Sequence, residues 1–317
     1  MENKRPTSWD NFILSQTEEK INSVEHTIKK AEDIKRKTKN ISIALAKKYK
    51  ECSREHKAND IKNCGSFLMF KEFKDIDRTT FLHKANFCKH PVCPLCAWRK
   101  SLRDFSILET ALKLIKKDFP RINVYHLVLA VPNVPEITKS MLSELKRKAV
   151  YFIKRYIGTD NYYTSLEITY SEETGFHPHM HILLATDNFI KVSEDYIYKM
   201  AMEWKKVYDK TDSKYRAYTF YITGIKNEKG LHELTKYVLK VQKIDDLEQC
   251  ILNTDFIFEM KGVRKNSSGG LFKEYIPKAK KLIREDFEKS RQKMSGIDYI
   301  YRIFEYIFSA EKYVEKS

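Results

Sequence analysis

Residues Tyr162–Ala185 read YYTSLEITYSEETGFHPHMHILLA, the most informative stretch of the chain. Its alternation of apolar and polar residues predicts two strands, Tyr162–Tyr170 and His177–Ala185, joined by the turn residues Ser171–Gly175. Leu166, Ile168 and Tyr170 then share one face of the first strand, and Ser165, Glu167 and Thr169 the other. In the second strand Met180, Ile182 and Leu184 alternate with His177, His179 and His181. One face is built for a core and the opposite face carries chemistry. Centring the turn on Glu173 sets Glu167 opposite His179, and directly opposed Cβ atoms lie about 4.5–5.5 Å apart. Glu167 can therefore share a divalent metal with His179 and His181, with His177 as a further donor. A hard carboxylate beside imidazoles suits Mn²⁺ or Mg²⁺ acting on phosphate. The competing reading is a row of surface histidines on a sheet edge.

The flanking text alternates between the two periods. Leu102–Phe119 reads as a helix stopped by Pro120, and Tyr125–Val131 (YHLVLAV) as a strand covered on both faces. Thr138–Tyr156 is a predicted helix with Leu142, Leu145, Ala149 and Phe152 inward. Another helix is expected at Glu194–Tyr208, a strand at Ala217–Ile222 and a helix at Leu231–Lys243. This order predicts an α+β fold, an antiparallel sheet with helices on one face. Residues 1–60 read as a basic helical segment, with Ile21, Val24, Ile28 and Ala31 at helical spacing. Residues 61–262 form the expected central domain. Residues 263–317 follow the Gly262–Gly270 linker (GVRKNSSGG) as a helical C-terminal segment, broken at Pro277 and ending in the aromatic-rich Ile297–Phe308 docked on the body.

The 317 residues carry 59 Lys and Arg against 43 Asp and Glu, a formal net charge of +16. That excess points to a polyanionic partner, nucleic acid ahead of an anionic membrane surface. A hydrophobic content of 42% excludes wholesale disorder. No apolar run approaches the roughly 20 residues needed to span a bilayer, and Met1–Asp10 lacks the apolar stretch of a signal peptide, so a cytoplasmic protein with no membrane partner is expected. In such a reducing compartment the six cysteines are thiols or metal ligands. Cys93-Pro-Leu-Cys96, with Cys88 and Cys64 upstream, has the spacing of a closed structural Zn²⁺ site, in which His90 can replace one thiolate. Trp98, Arg99, Lys100 and Arg103 follow, either as a basic stacking surface for DNA or as a helix start packed around Trp98.

Leu231–Lys243 (LHELTKYVLKVQK) has a core stripe at Leu231, Leu234, Val238 and Val241, with Glu233, Tyr237 and Lys240 lined up on an adjacent strip. A phenolate flanked by an acid and a cation is a competent nucleophile for a phosphodiester. A half-buried tyrosine among surface ion pairs would give the same spacing.

Taken together, these motifs are specific. His177-Pro-His-Met-His181 followed by Ile-Leu-Leu resembles the His-hydrophobe-His motif of the HUH endonucleases, and Lys236-Tyr-Val-Leu-Lys240 resembles their Tyr-x-x-Lys motif, in the same order. Leu127–Val134 (LVLAVPNV) resembles the first motif of plasmid rolling-circle initiators, with Val128 and Ala130 where threonines are common. Glu233 four residues before Tyr237 resembles the single-tyrosine initiators of small Gram-positive plasmids, and the resemblance runs from about Cys64 to Lys243. It implies a metal-dependent enzyme that nicks one strand of a plasmid double-strand origin, single-stranded at the nick site. Tyr237 would form a 5′-phosphotyrosine and leave a 3′-OH primer, and a second cleavage with strand joining would terminate the round. Glu233 is implied in that termination, Lys240 in positioning, and Glu167, His179 and His181 in holding the metal. A host helicase and DNA polymerase are the implied partners. Related initiators carry similar cysteines. The alternatives are an HUH transposase or relaxase, and a non-catalytic zinc-containing DNA-binding regulator. Relaxases place their tyrosine before the histidines, unlike Tyr237.

Overall fold

The computed structural model describes residues 24–37, 39–51, 55–74, 80–90, 93–209, 218–225, 239–241 and 262–316. In chain order these form helices α1 (Val24–Lys37), α2 (Lys39–Glu51) and α3 (Glu55–Lys62), strands β1 (Phe67–Phe73) and β2 (Thr80–Ala85), and the long helix α4 (Pro94–Asp118). Strand β3 (Asn123–Ala130) and helix α5 (Lys139–Phe152) follow, the latter ending in a π-helical turn at Ile153–Ile157. Then come the hairpin of β4 (Tyr162–Ser171) and β5 (Gly175–Thr186), helix α6 (Glu194–Tyr208), and strands β6 (Thr219–Gly224), β7 (Leu239–Val241) and β8 (Asn266–Gly269). Helix α7 (Gly270–Lys293) leads to β9 (Tyr299–Ile307) and β10 (Lys312–Lys316). The architecture is α+β. The chain divides into two compact units, Met1–Ser106 with Lys280–Ser317 (unit 1), and Ile107–Ala279 (unit 2).

Unit 2 is built on a sheet of order β6-β3-β5-β4-β7, with β8 pairing the same edge of β4 as β7. Its pairings are antiparallel except for the parallel β4–β7 contact. The central hairpin has the expected register, with Glu167 opposite His179, Leu166 opposite Met180 and Ser165 opposite His181. Gly175 makes the turn possible: its φ is +75°, and a Cβ there would meet the Val134 carbonyl oxygen at 2.6 Å. That closeness comes from the bridge in which Val134 and Phe176 exchange two N–H···O bonds of 2.8 Å.

Leu127, Leu129, Leu166, Ile168, Met180, Ile182, Phe220 and Ile222 are fully or almost fully buried on the core face. Helix α5 buries Leu142, Leu145, Ala149 and Phe152, as their spacing predicts, and starts where the Thr138 side chain accepts from the Met141 N–H. Phe152 meets Trp204 of α6 and Phe220 of β6, and the Trp204 Nε1–H donates to the Ala130 carbonyl at 2.8 Å. The opposite sheet face is covered too. His126, Tyr163, Ser165, Glu167, Leu183 and Ala185 are all buried there, so the face that carries Glu167 and the histidines is itself packed. The near-continuous apolar text of β3 already called for cover on both sides.

Unit 1 holds a second antiparallel sheet, β10-β9-β1-β2. Val24, Ile28, Ala31 and Ile34 of α1 form a core cluster with Leu68, Phe70, Leu82, Phe304, Tyr306 and Tyr313. Arg302 ties three elements together through Glu25 of α1 at 2.8 Å, Glu72 of β1 at 3.3 Å and Glu315 of β10 at 2.7 Å.

Three sequence expectations need correction. The C-terminal segment is not all helical: α7 runs unbroken through Pro277, and the aromatic-rich stretch forms β9 and β10. A proline removes a single ladder bond, and α7 is held on both sides of it by buried Phe272, Tyr275, Ala279 and Ile283. Residues 299–307 (YIYRIFEYI) are dominated by aromatic and β-branched residues, which favour a strand, and they pair with β1. The 262–270 segment contains β8, whose Asn266–Gly269 pairs Tyr162–Ser165 of β4. Finally, Leu239–Val241 do not continue a helix but form β7, because the edge of β4 offers unpaired backbone groups at Ile168–Tyr170.

Candidate metal centre

The hairpin brings Glu167, His179 and His181 together, with one ligand atom from each lying within 4.8 Å of the others. Glu167 Oε2 lies 2.7 Å from His181 Nε2 and 3.5 Å from His179 Nε2. Although 2.7 Å is hydrogen-bond range, the buried His181 Nε2 makes no hydrogen bond. The two atoms therefore aim past each other, and ligand atoms so placed converge on a third point, as metal ligands do. Burial alone would push the Glu167 carboxyl up, but the polar contacts and charge of His179 and His181 outweigh it and hold it well below the usual carboxylate range. Glu167 is thus a carboxylate at any physiological pH. The residues fit a small divalent cation with oxygen and nitrogen ligands.

His126 of β3 stacks on His181, with ring centroids 5.2 Å apart, and its Nε2 lies 3.0 Å from His181 Nδ1. This leaves His181 Nε2 as the nitrogen that faces Glu167, the arrangement in which one ring nitrogen is oriented so that the other can ligate. His177 stands outside the trio: its Nδ1 lies 2.8 Å from Asn133 Oδ1.

Unit 1 contains the other cluster of this kind among the described residues, Cys64, Cys88, Cys93 and Cys96. The Sγ atoms of Cys64 and Cys96, and of Cys93 and Cys64, lie 3.5 Å apart, and those of Cys88 and Cys96 3.7 Å. Such spacing places the four sulfurs around one point. Backbone N–H groups of Cys88, Lys89 and His90 donate to the sulfurs of Cys64, Cys96 and Cys88 at 3.4, 3.2 and 3.4 Å, helped by the left-handed Lys89 (φ 58°). Hydrogen bonds from Cys64, Cys88 and Cys96 hold the Cys93 thiol well below its usual range. His90 is not one of the four, and its Nε2 bonds the Tyr49 hydroxyl. Trp98 packs against the same core as Cys96, Arg99 lies 3.7 Å over the Phe87 ring, and Lys100 pairs with Asp104. Of the two readings of this stretch, the packed helix start is the one realised.

A family described as "Replication protein" matches residues 79–314, most of the chain and both clusters except Cys64. The chain belongs to the replication protein family. It is a replication initiator of the plasmid Rep type. Among its relatives, "Protein rep" of Staphylococcus aureus is 29% identical over 58% of this chain and 82% of its own. "Protein rep" of Streptococcus pneumoniae serotype 2 is 28% identical over 74% of this chain and 76% of its own. That of Lactiplantibacillus plantarum is 25% identical over 69% and 73%. No solved structure matches.

In this replication protein, Glu233 and Tyr237 lie outside the described residues. The Lys240 backbone sits in β7 opposite Thr169, two residues along β4 from Glu167, and not on a helical strip. Two residues escaped the sequence reading. His126 was masked by the apolar run of β3, although its offset by one strand from the histidine row is the signal that would have found it. Asn133, beside the bridge at Val134, had none. No helix among the described residues is long and apolar enough to cross a membrane.

Proposed function

We propose that this replication protein starts plasmid rolling-circle replication by nicking one strand at the double-strand origin, on an HUH-type nuclease fold in unit 2. The observation that carries the reading is the convergence of Glu167, His179 and His181 from adjacent antiparallel strands, in a member of a replication family. A Mn²⁺ or Mg²⁺ ion held there would polarise and orient the scissile phosphate. Glu167 supplies the anionic ligand and the two imidazoles the neutral ones, while His126 fixes the orientation of the His181 ring. Tyr237 is the proposed nucleophile. Its phenolic oxygen forms a bond to phosphorus as the bond to the 3′-oxygen breaks, leaving a 5′-phosphotyrosine and a free 3′-OH that a host polymerase can extend behind a helicase. Pairing of Lys240 next to Thr169 supports the approach of the Tyr-x-x-Lys segment to the strand that carries Glu167. Glu233 would activate water for the terminating cleavage, and strand joining closes the circle. The four thiolates suit structural Zn²⁺. Action on plasmid DNA in the cytoplasm is part of this reading.

The test is cleavage of a single-stranded origin oligonucleotide with and without Mn²⁺. Wild-type protein should cut only with metal and carry a covalent DNA adduct. Tyr237→Phe should lose both, and His181→Ala should lose cutting by at least a hundredfold. An adduct that persists in Tyr237→Phe, or metal-independent cutting, would refute the assignment.

A further inference from the structure

The sheet of unit 1 turns one face to its core and leaves the other with an unusual set of side chains. Alternation that buries Phe70, Leu82, Phe304 and Tyr306 sends Lys71, Tyr299 and Tyr301 to the opposite face, where Lys71 pairs with Tyr301 and Phe73 with Tyr299. Tyr299 and Tyr301 are 42% and 46% exposed. Their rings meet edge to face, centroids 5.3 Å apart and planes at 75°. Lys71 Nζ stands 3.7 Å from the Tyr299 ring centroid and 5.7 Å from that of Tyr301. The His83 ring lies 5.2 Å from Tyr301, and Lys84 sits opposite Met69 on the same side of the sheet. Beside them on the same face Phe73 packs on Phe81, and Phe81 on Phe287 of α7, so the rings adjoin a packed aromatic cluster and not a loop. The carboxylate of this face, Glu305, is paired with Lys316 at 3.0 Å.

Two adjacent exposed aromatic rings on a paired strand, one with the Lys71 ammonium over it, are costly to present to water without a partner. We propose that this face binds single-stranded DNA, stacking unpaired bases on Tyr299 and Tyr301 while Lys71 and Lys84 meet the phosphates. Unstacked bases offer their faces to rings, which a duplex hides within its stack, and the +16 chain supplies the attraction for a polyanion. Lys71 lies over the Tyr299 face, so a phosphate that draws its ammonium aside would leave that face to the attached base. The inference goes beyond the nicking reading and needs neither the Glu167 trio nor cleavage.

Anisotropy of a fluorescein-labelled oligothymidylate with the full chain, without added divalent metal, tests it. Tyr299→Ala and Tyr301→Ala should each weaken binding roughly tenfold, with Tyr301→Phe remaining within about twofold because the ring, not the hydroxyl, stacks. Lys71→Gln should lower the slope of log affinity against log salt by about 0.7. Photocrosslinking of the wild-type protein to 5-iodouracil DNA should map to Tyr299 or Tyr301, a readout that stands even where an alanine variant unfolds. Wild-type affinity in both alanine variants, equal loss on blunt duplex DNA, or crosslinks confined to other residues would overturn the proposal. Origin-oligonucleotide nicking, measured in parallel, separates the two readings: lost nicking with intact binding counts against the trio alone, and lost binding with intact nicking leaves the trio standing.

Discussion

The thiol cluster of unit 1 and the carboxylate–imidazole trio of unit 2 are both groups that could hold a metal ion, yet they are built differently. In unit 1 four protein sulfurs surround one point, and three backbone N–H groups point at them. Nothing is left over for substrate, so a metal there serves the fold. Its ligands come from just past α3, the stretch after β2 and the start of α4, and they join the unit's buried core. In unit 2 three ligands converge among the described residues, on a hairpin fixed by its strand pairing and buried core. Coordination positions remain for a phosphate. The contrast teaches that ligand number matters: four protein donors close a tetrahedral site, whereas three leave a position open.

The largest expected effect tests the structural half. Cys93→Ser should release the bound metal and remove the cooperative thermal unfolding of unit 1, since structural zinc contributes apparent binding energies of about 10–16 kcal/mol in small modules. Calorimetry with elemental analysis checks this, and an unchanged melt would break the comparison. An intermediate effect is expected behind the trio. His126→Ala should weaken Mn²⁺ affinity about 10- to 100-fold, read by titration calorimetry, while the melting temperature without metal moves far less. Equal metal affinity would mean that the His126–His181 contact is packing alone. The smallest effect shows that unit 2 takes its stability from ordinary groups. Burial, aided by the Arg264 guanidinium, pushes the Lys146 ammonium down to about 8 from 10.5. The folded state then disfavours the proton: the cost is full below pH 8 and fades as the pH rises towards 10.5. Lys146→Met should therefore raise the melting temperature at pH 7 by about one or two degrees, because half-exposure screens the effect, and the gain should vanish near pH 10.5. A gain independent of pH would assign it to packing.

Much of unit 2 was legible because its signals are local. The Glu167–His179 register follows from one turn, and the inward face of α5 from a 3.6-residue period. His126 was harder: its meaning depends on the register between β3 and β5, and it lies 55 positions before His181 in the chain. The β7 segment shows propensity losing to an available sheet edge. Unit 1 was the least legible, because β1 finds its partner in β9, more than two hundred residues away, and no window of sequence reports that pairing.

By itself, then, the sequence determined what alternation, turn chemistry and ligand spacing can encode: the hairpin, its facing carboxylate and histidines, and the cysteine quartet. Only the tertiary structure decided that the tail is a pair of strands, that His126 stands behind His181, and that Tyr299 and Tyr301 share an open face with Lys71. The physical reason is range. Periodicity fixes which way a side chain points along its own element, whereas neighbours across elements are chosen by burial and backbone pairing between segments distant in the chain.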